Sequence, residues 1–67
     1  MAVARVTEIS STSPKSFDDA IQQGVARATK TLRNVRSAWV KEQRVDIKNT
    51  QIVEYQVNLM LTFVLED

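Results

Sequence analysis

Cysteine and histidine are both missing from this chain of 67 residues. Their absence excludes disulfide staples and the usual Cys/His zinc sites. It also removes the commonest general base and the most nucleophilic side chain. Glycine and proline occur once each, so few positions force the backbone out of regular structure. Charge of one sign is lacking too. Lys plus Arg is 9 and Asp plus Glu is 8, a net charge of +1, whereas nucleic-acid binding wants a strongly basic patch. No apolar run is long enough to span a bilayer. The N-terminus has neither the apolar stretch nor the cleavage site of a signal peptide. A cytoplasmic protein with no nucleic-acid and no membrane partner is the expectation.

A chain of this length makes one domain, residues 1–67. Such a domain buries only about 60% of the surface its unfolded chain exposes and is marginal alone. With disulfides and Cys/His metal sites gone, self-association is the support left, so a homo-oligomer is expected. The hydroxyls of residues 10–16 have no base partner. No nucleophile with an acid–base pair is visible, and an enzyme is not expected.

What is present reads as β-α-β-β. Val3, Val6, Thr7 and Ile9 are β-formers and predict a first strand over residues 2–10. Ser10-Ser11-Thr12-Ser13-Pro14 reads as a turn-rich break. Ser16-Phe17-Asp18-Asp19 fits a helix-capping pattern, Ser-x-x-acid. Phe17, Ala20, Ile21, Gly24, Val25, Ala28 and Leu32 then recur at three- and four-residue spacing, one stripe of a helix. Gly24 inside that stripe costs about 1 kcal/mol against Ala, so it marks a close approach of another backbone. Asn34 is the candidate left-handed C-cap.

Residues 36–47 predict a second strand of imperfect alternation, with a bulge near residues 41–44. Lys48-Asn49-Thr50 closes a hairpin. In the third strand Val53, Tyr55, Val57, Leu59, Leu61, Phe63 and Leu65 alternate with Glu54, Gln56, Asn58, Met60, Thr62 and Glu66. That is a strand with one oily face. Over residues 51–65 it runs ~50 Å at ~3.4 Å per residue. A helix over residues 16–34 is only ~28 Å long at 1.5 Å per residue, so the sheet must curl, overhang or pack on a neighbour. The fold class is α+β: a three-stranded antiparallel curved sheet wrapped on one helix. Its second face, carrying Gln56, Asn58, Met60 and Thr62, is left open as a binding surface, a subunit interface or both.

Several stretches in this order match one known pattern. They are Thr12-Ser13-Pro14, Ala20-Ile21-Gln22, Ala26-Arg27-Ala28 and Asn34-Val35, then Val40, Gln43, Val45 and Ile47, then Tyr55-Gln56-Val57 and Phe63-Val64-Leu65-Glu66. The chain resembles the dodecin family, small flavin-binding proteins that assemble as hollow dodecamers. The resemblance implies an isoalloxazine ring on the open sheet face, stacked on a Trp early in strand two and read at its pyrimidine edge by a Gln of strand three. Gln56 matches that Gln, and an amide offers both donor and acceptor. The usual stacking position falls on Ser37. Trp39, two residues later, lies on the same strand face. Arg44 matches a position that lies near the phosphate of flavin mononucleotide (FMN) in some bacterial members.

Each residue has a plainer reading beside this one. Trp39 also suits a packing aromatic at an interface, and Gln56 an ordinary polar position. Ser37 suits a small cavity-lining residue. Arg44 also suits an ion pair with Glu42 or Asp46. Glu42, Asp46 and Glu54 could gather around a symmetry axis and hold a hard cation, or remain solvated charges. The main expectation is a non-catalytic flavin storage or buffering shell, a homododecamer holding riboflavin or FMN. The alternatives are a flavin-free structural or ion-binding shell, and a carrier of coenzyme A or another nucleotide.

Overall fold

The computed structural model describes residues 3–65. Four elements follow one another: β1 (Ala4–Ser13), α1 (Phe17–Thr31), β2 (Val35–Lys48) and β3 (Gln51–Val64). The sheet order is β1-β3-β2, antiparallel throughout, so the oily third strand is the central one. Ala2 of the expected first strand and Glu66 of the closing match lie outside the described residues.

The helix starts where its capping chemistry says it should. Ser16 is the N-cap, and its hydroxyl oxygen accepts the Asp19 N–H at 2.9 Å. Such a cap is worth about 1 kcal/mol. Ser13 supports it from the end of β1: its hydroxyl donates to Asp19 Oδ2 at 2.6 Å and accepts from the Lys15 N–H at 3.0 Å. At the other end the expectation needs correcting. The helix stops at Thr31 and Leu32 is its cap, with its N–H bonded to the Ala28 carbonyl at 2.9 Å. Asn34 does adopt the left-handed conformation, φ 60°, but it serves the turn into β2 rather than the helix end.

The first strand also runs further than its composition suggests. The stretch read as a break pairs regularly with β3, from Ser10 opposite Asn58 to Ser13 opposite Tyr55. Pairing to a well-formed central strand overrides the weak strand preference of serine. In β2 the broken alternation has the expected cause. The register against β3 slips between Val40 and Glu42, and again near each end of the strand. The hairpin closes through Asn49 and Thr50, both at positive φ (51° and 66°), the backbone a two-residue turn needs to match strand twist.

Helix and sheet meet through small residues on one side and large ones on the other. Ala20, Gly24 and Ala28, four residues apart, are the buried positions of α1. Opposite them Val57, Leu59 and Leu61 are buried on β3, each worth roughly 1.5–3 kcal/mol of burial. Phe17, Ile21 and Val25 close the flanks, and the Phe17 ring meets Tyr55 edge-on, centroids 5.1 Å apart. At Gly24 an added Cβ would lie 3.1 Å from both Leu59 Cδ1 and Ser11 Cβ. The glycine is what lets the helix lie this close to β1. The helix covers only part of the sheet. The molecule extends 52 × 19 × 13 Å, and the hairpin tip projects past α1 with Ile47, Ile52 and Val53 exposed.

Candidate ligand-binding face of the sheet

Cross-strand partners share a face, so the register assigns every candidate residue. Ser37 lies opposite Thr62, Trp39 opposite Met60, and Arg44 opposite Gln56. Thr62, Met60 and Gln56 alternate with the buried Leu61, Leu59 and Val57. All four sequence-chosen residues therefore stand on the side of the sheet away from α1. The bulge is what allows this. Trp39 and Glu42 differ in parity, and the slip across Lys41 returns Glu42 and Arg44 to the face that Ser37 and Trp39 occupy.

Trp39 is 49% exposed, a large apolar surface with no covering element within its own subunit. Beside it Lys41 Nζ and Glu8 Oε1 form a 3.2 Å ion pair between β2 and β1. Both partners are solvent-accessible, so its worth is at most about 1 kcal/mol. Met60 lies between the Glu8 and Trp39 positions in the cross-strand row.

Two rows along, the face turns polar. Arg44 Nε donates to Gln56 Oε1 at 3.2 Å, and Gln56 Nε2 donates to Ser10 Oγ at 2.9 Å. The same Nε2 also reaches Asn58 Oδ1 at 3.4 Å, and Asn58 Nδ2 donates to Glu42 Oε1 at 2.8 Å. Arg44 thus pairs with Gln56 rather than with Glu42 or Asp46. The Trp39 and Gln56 rows are separated by four residues of β3, about 14 Å at ~3.4 Å per residue.

Ser10, Asn58 and Glu42 had no motif to mark them. Their cross-strand bonds, Ser10 to Gln56 and Glu42 to Asn58, join residues 46 and 16 apart in sequence, and only the strand register brings those together. Counting outward from the two-residue turn reaches the Arg44–Gln56 and Glu42–Asn58 pairs only after the slip between Ile47 and Asp46, which skips Val53 and which no residue pattern marks. Asp46 faces Glu54 across the hairpin, a like-charge pair that is unfavourable without a compensating cation. Among the described residues no group of three or more acidic side chains is close enough to hold a metal ion. Nor is any described helix long and apolar enough to cross a membrane. A cleft of about 750 Å³ lies elsewhere, between β1 and α1, lined by Thr7, Ile9, Ser11, Gln23, Gly24 and Arg27 among others. Ser37, Trp39, Arg44 and Gln56 do not border it.

Comparison with known proteins agrees with the fold and the order of its elements. The family model described as Dodecin matches residues 3–66. The chain is similar to "Dodecin" of Thermus thermophilus, 42% identical over 65 residues that cover 97% of this chain and 94% of the relative. It is also similar to "Calcium dodecin" of Mycobacterium tuberculosis, 32% identical over 63 residues, covering 94% and 89%. Among solved structures, dodecin from Streptomyces coelicolor superposes with a TM-score of 0.92 at 39% identity, over 98% of this chain and 94% of that one.

Proposed function

The chain belongs to the dodecin family, and from that premise we propose that it is a non-catalytic homo-oligomeric shell that binds a flavin on the open face of its sheet. Membership implies a homo-oligomer. The exposed apolar side chains Val6, Trp39, Val40, Ile47, Ile52 and Val53 favour the same reading, because a small domain gains from covering them. The dodecamer and the storage or buffering role belong to this proposal, as does a cytoplasmic site of action.

One observation carries the ligand reading. An exposed indole and a polar row built on Gln56 and Arg44 share one uncovered sheet face. The indole suits stacking by a planar ring, worth about 0.5–1.5 kcal/mol beyond burial. Gln56 suits the ring's hydrogen-bonding edge. Arg44 spends one N–H on Gln56 and keeps the rest of its guanidinium for an anion such as phosphate. Ser37, small and exposed, leaves space beside Trp39 for the ring. Shielding and quenching of the flavin follow from such contact, with no turnover.

Fluorescence titration of riboflavin and FMN with the purified protein tests the reading. Quenching at micromolar flavin is expected, weakened by Trp39→Ala for both ligands and by Arg44→Ala for FMN alone. No quenching by wild-type protein would leave a structural shell in place of a flavin carrier. Binding that ignores Trp39→Ala would remove the indole platform from the account.

A second reading has its own observation. Asp46 and Glu54 face each other without a cation partner among the described residues, and one relative bears the name calcium dodecin. An ion-binding shell would gather such pairs from several copies. Calcium titration followed by calorimetry separates it from the flavin reading, since Asp46→Asn would abolish calcium heat and leave flavin quenching intact.

A further inference from the structure

Sulfur is scarce in this chain. There is no cysteine, and the two methionines are Met1 and Met60. Met60 stands on the open face of β3, between Asn58 and Thr62 on that side. Its cross-strand partners are Trp39 on β2 and Glu8 on β1. The methionine is half-buried, and the indole is half-exposed. Residues directly opposite in an antiparallel pair have Cβ atoms about 4.5–5.5 Å apart, so thioether and indole are neighbours. A tricyclic ring laid on the exposed indole is wider than the indole and covers the thioether as well. Sulfur–aromatic contacts of that kind are favourable.

A charged strap borders this platform. Lys41 belongs to β2 and Glu8 to β1, the two strands that flank β3. Their 3.2 Å ion pair therefore passes over β3 on the open face, next to Met60. The Lys41 ammonium has three donors, and Glu8 takes one of them. The sulfur thus lies between an apolar ring on one side and a cation with hydrogen bonds to spare on the other.

Resting on the flavin reading above and going beyond it, we propose that Met60 is the second half of the ring platform and a site of reversible oxidation by peroxide, and that its sulfoxide releases the ligand. A lone pair of the thioether sulfur attacks one oxygen of hydrogen peroxide. The O–O bond breaks as the S–O bond forms. The departing hydroxide takes the proton left on the transferred oxygen and leaves as water. Sulfur is oxidised by two electrons and the peroxide is reduced by two. The side chain becomes polar where it was apolar. Its new oxygen binds water, and stacking a ring over it strips that water away. The spare donors of Lys41 hold that oxygen out across the platform rather than into the sheet. Methionine sulfoxide reductases reverse the change, and no thiol in the chain competes for the oxidant.

Hydrogen peroxide treatment of the intact, ligand-free oligomer tests the proposal, followed by peptide mass spectrometry and a riboflavin quenching titration. Met60 should gain one oxygen. Riboflavin affinity should fall roughly fivefold or more, as expected when a sulfur–aromatic contact is lost and a polar group is covered instead. Methionine sulfoxide reductases with a reductant should restore the affinity, which separates Met60 from oxidative damage at Trp39. Saturating riboflavin added before the peroxide should slow the oxidation of Met60. Met60→Leu, compared with itself before and after peroxide, should show no loss. Met60 that resists oxidation, oxidised Met60 with unchanged affinity, or a loss that persists in Met60→Leu overturns the proposal and leaves the flavin reading standing. Dissociation of the oligomer on oxidation, read by light scattering, also overturns it, because the thioether would then hold an interface. Absence of quenching by riboflavin before any peroxide overturns both.

Discussion

The two faces of β3 belong to one backbone and meet opposite surroundings. Val57, Leu59 and Leu61 are sealed against Ala20, Gly24 and Ala28 of the helix. Gln56, Asn58, Met60 and Thr62, the residues between and beside them, look out from an uncovered sheet. One face is apolar and filled. The other is a row of directed hydrogen bonds ending in Arg44, Glu42 and Ser10, with Trp39 beside it. The contrast teaches that a period of two lets a single strand carry stability and recognition at once. It also gives each residue type its consequence: a change on the odd face should alter folding, and a change on the even face should alter binding.

The largest test of that division is Leu61→Ala. Leu61 is fully buried, so its truncation should cost about 2–5 kcal/mol. Denaturant unfolding at fixed protein concentration measures it. A change below about 1 kcal/mol would mean that the helix-covered face contributes little. A smaller effect is expected where the helix touches β1. Gly24→Ala gains about 1 kcal/mol of helix propensity. It also forces a Cβ to within 3.1 Å of Ser11 Cβ, which is tied to the backbone, and of Leu59 Cδ1, which can turn aside. Overpacking of that kind costs typically 1–3 kcal/mol. The balance should be a net loss of about 1 kcal/mol in the same assay, and a stabilised variant would show that the helix is free to lift.

The odd face of β3 was legible because its alternation is nearly strict over residues 53–65, and burial follows that pattern from Val57 to Leu61, whereas Val53, beside the hairpin turn, is exposed. The helix start was legible from Ser16, whose capping bond is local. The helix end was not: Leu32, in the apolar stripe, leaves the helix, and Asn34 turns the chain two residues later. Residues 10–13 hid their strand character because serine and threonine favour turns locally, and only pairing with β3 decides otherwise. The common face of Ser37 and Trp39 followed from strand parity, and that of Gln56 and Arg44 from the family pattern. The partners that orient Gln56 did not, since a register between distant strands is invisible to local propensity.

On the even face the smallest effect on folding should accompany a clear effect on ligand. Gln56→Ala removes the centre of the polar row, whose members are solvent-accessible and can turn to water. Its unfolding free energy should stay within about 0.5 kcal/mol of wild type. Its affinity for riboflavin, read by fluorescence quenching of the same preparation, should fall by about 1–3 kcal/mol for the lost partner of the pyrimidine edge. Unchanged flavin affinity, or a destabilisation comparable to that of Leu61→Ala, would contradict the division of labour between the two faces of the strand.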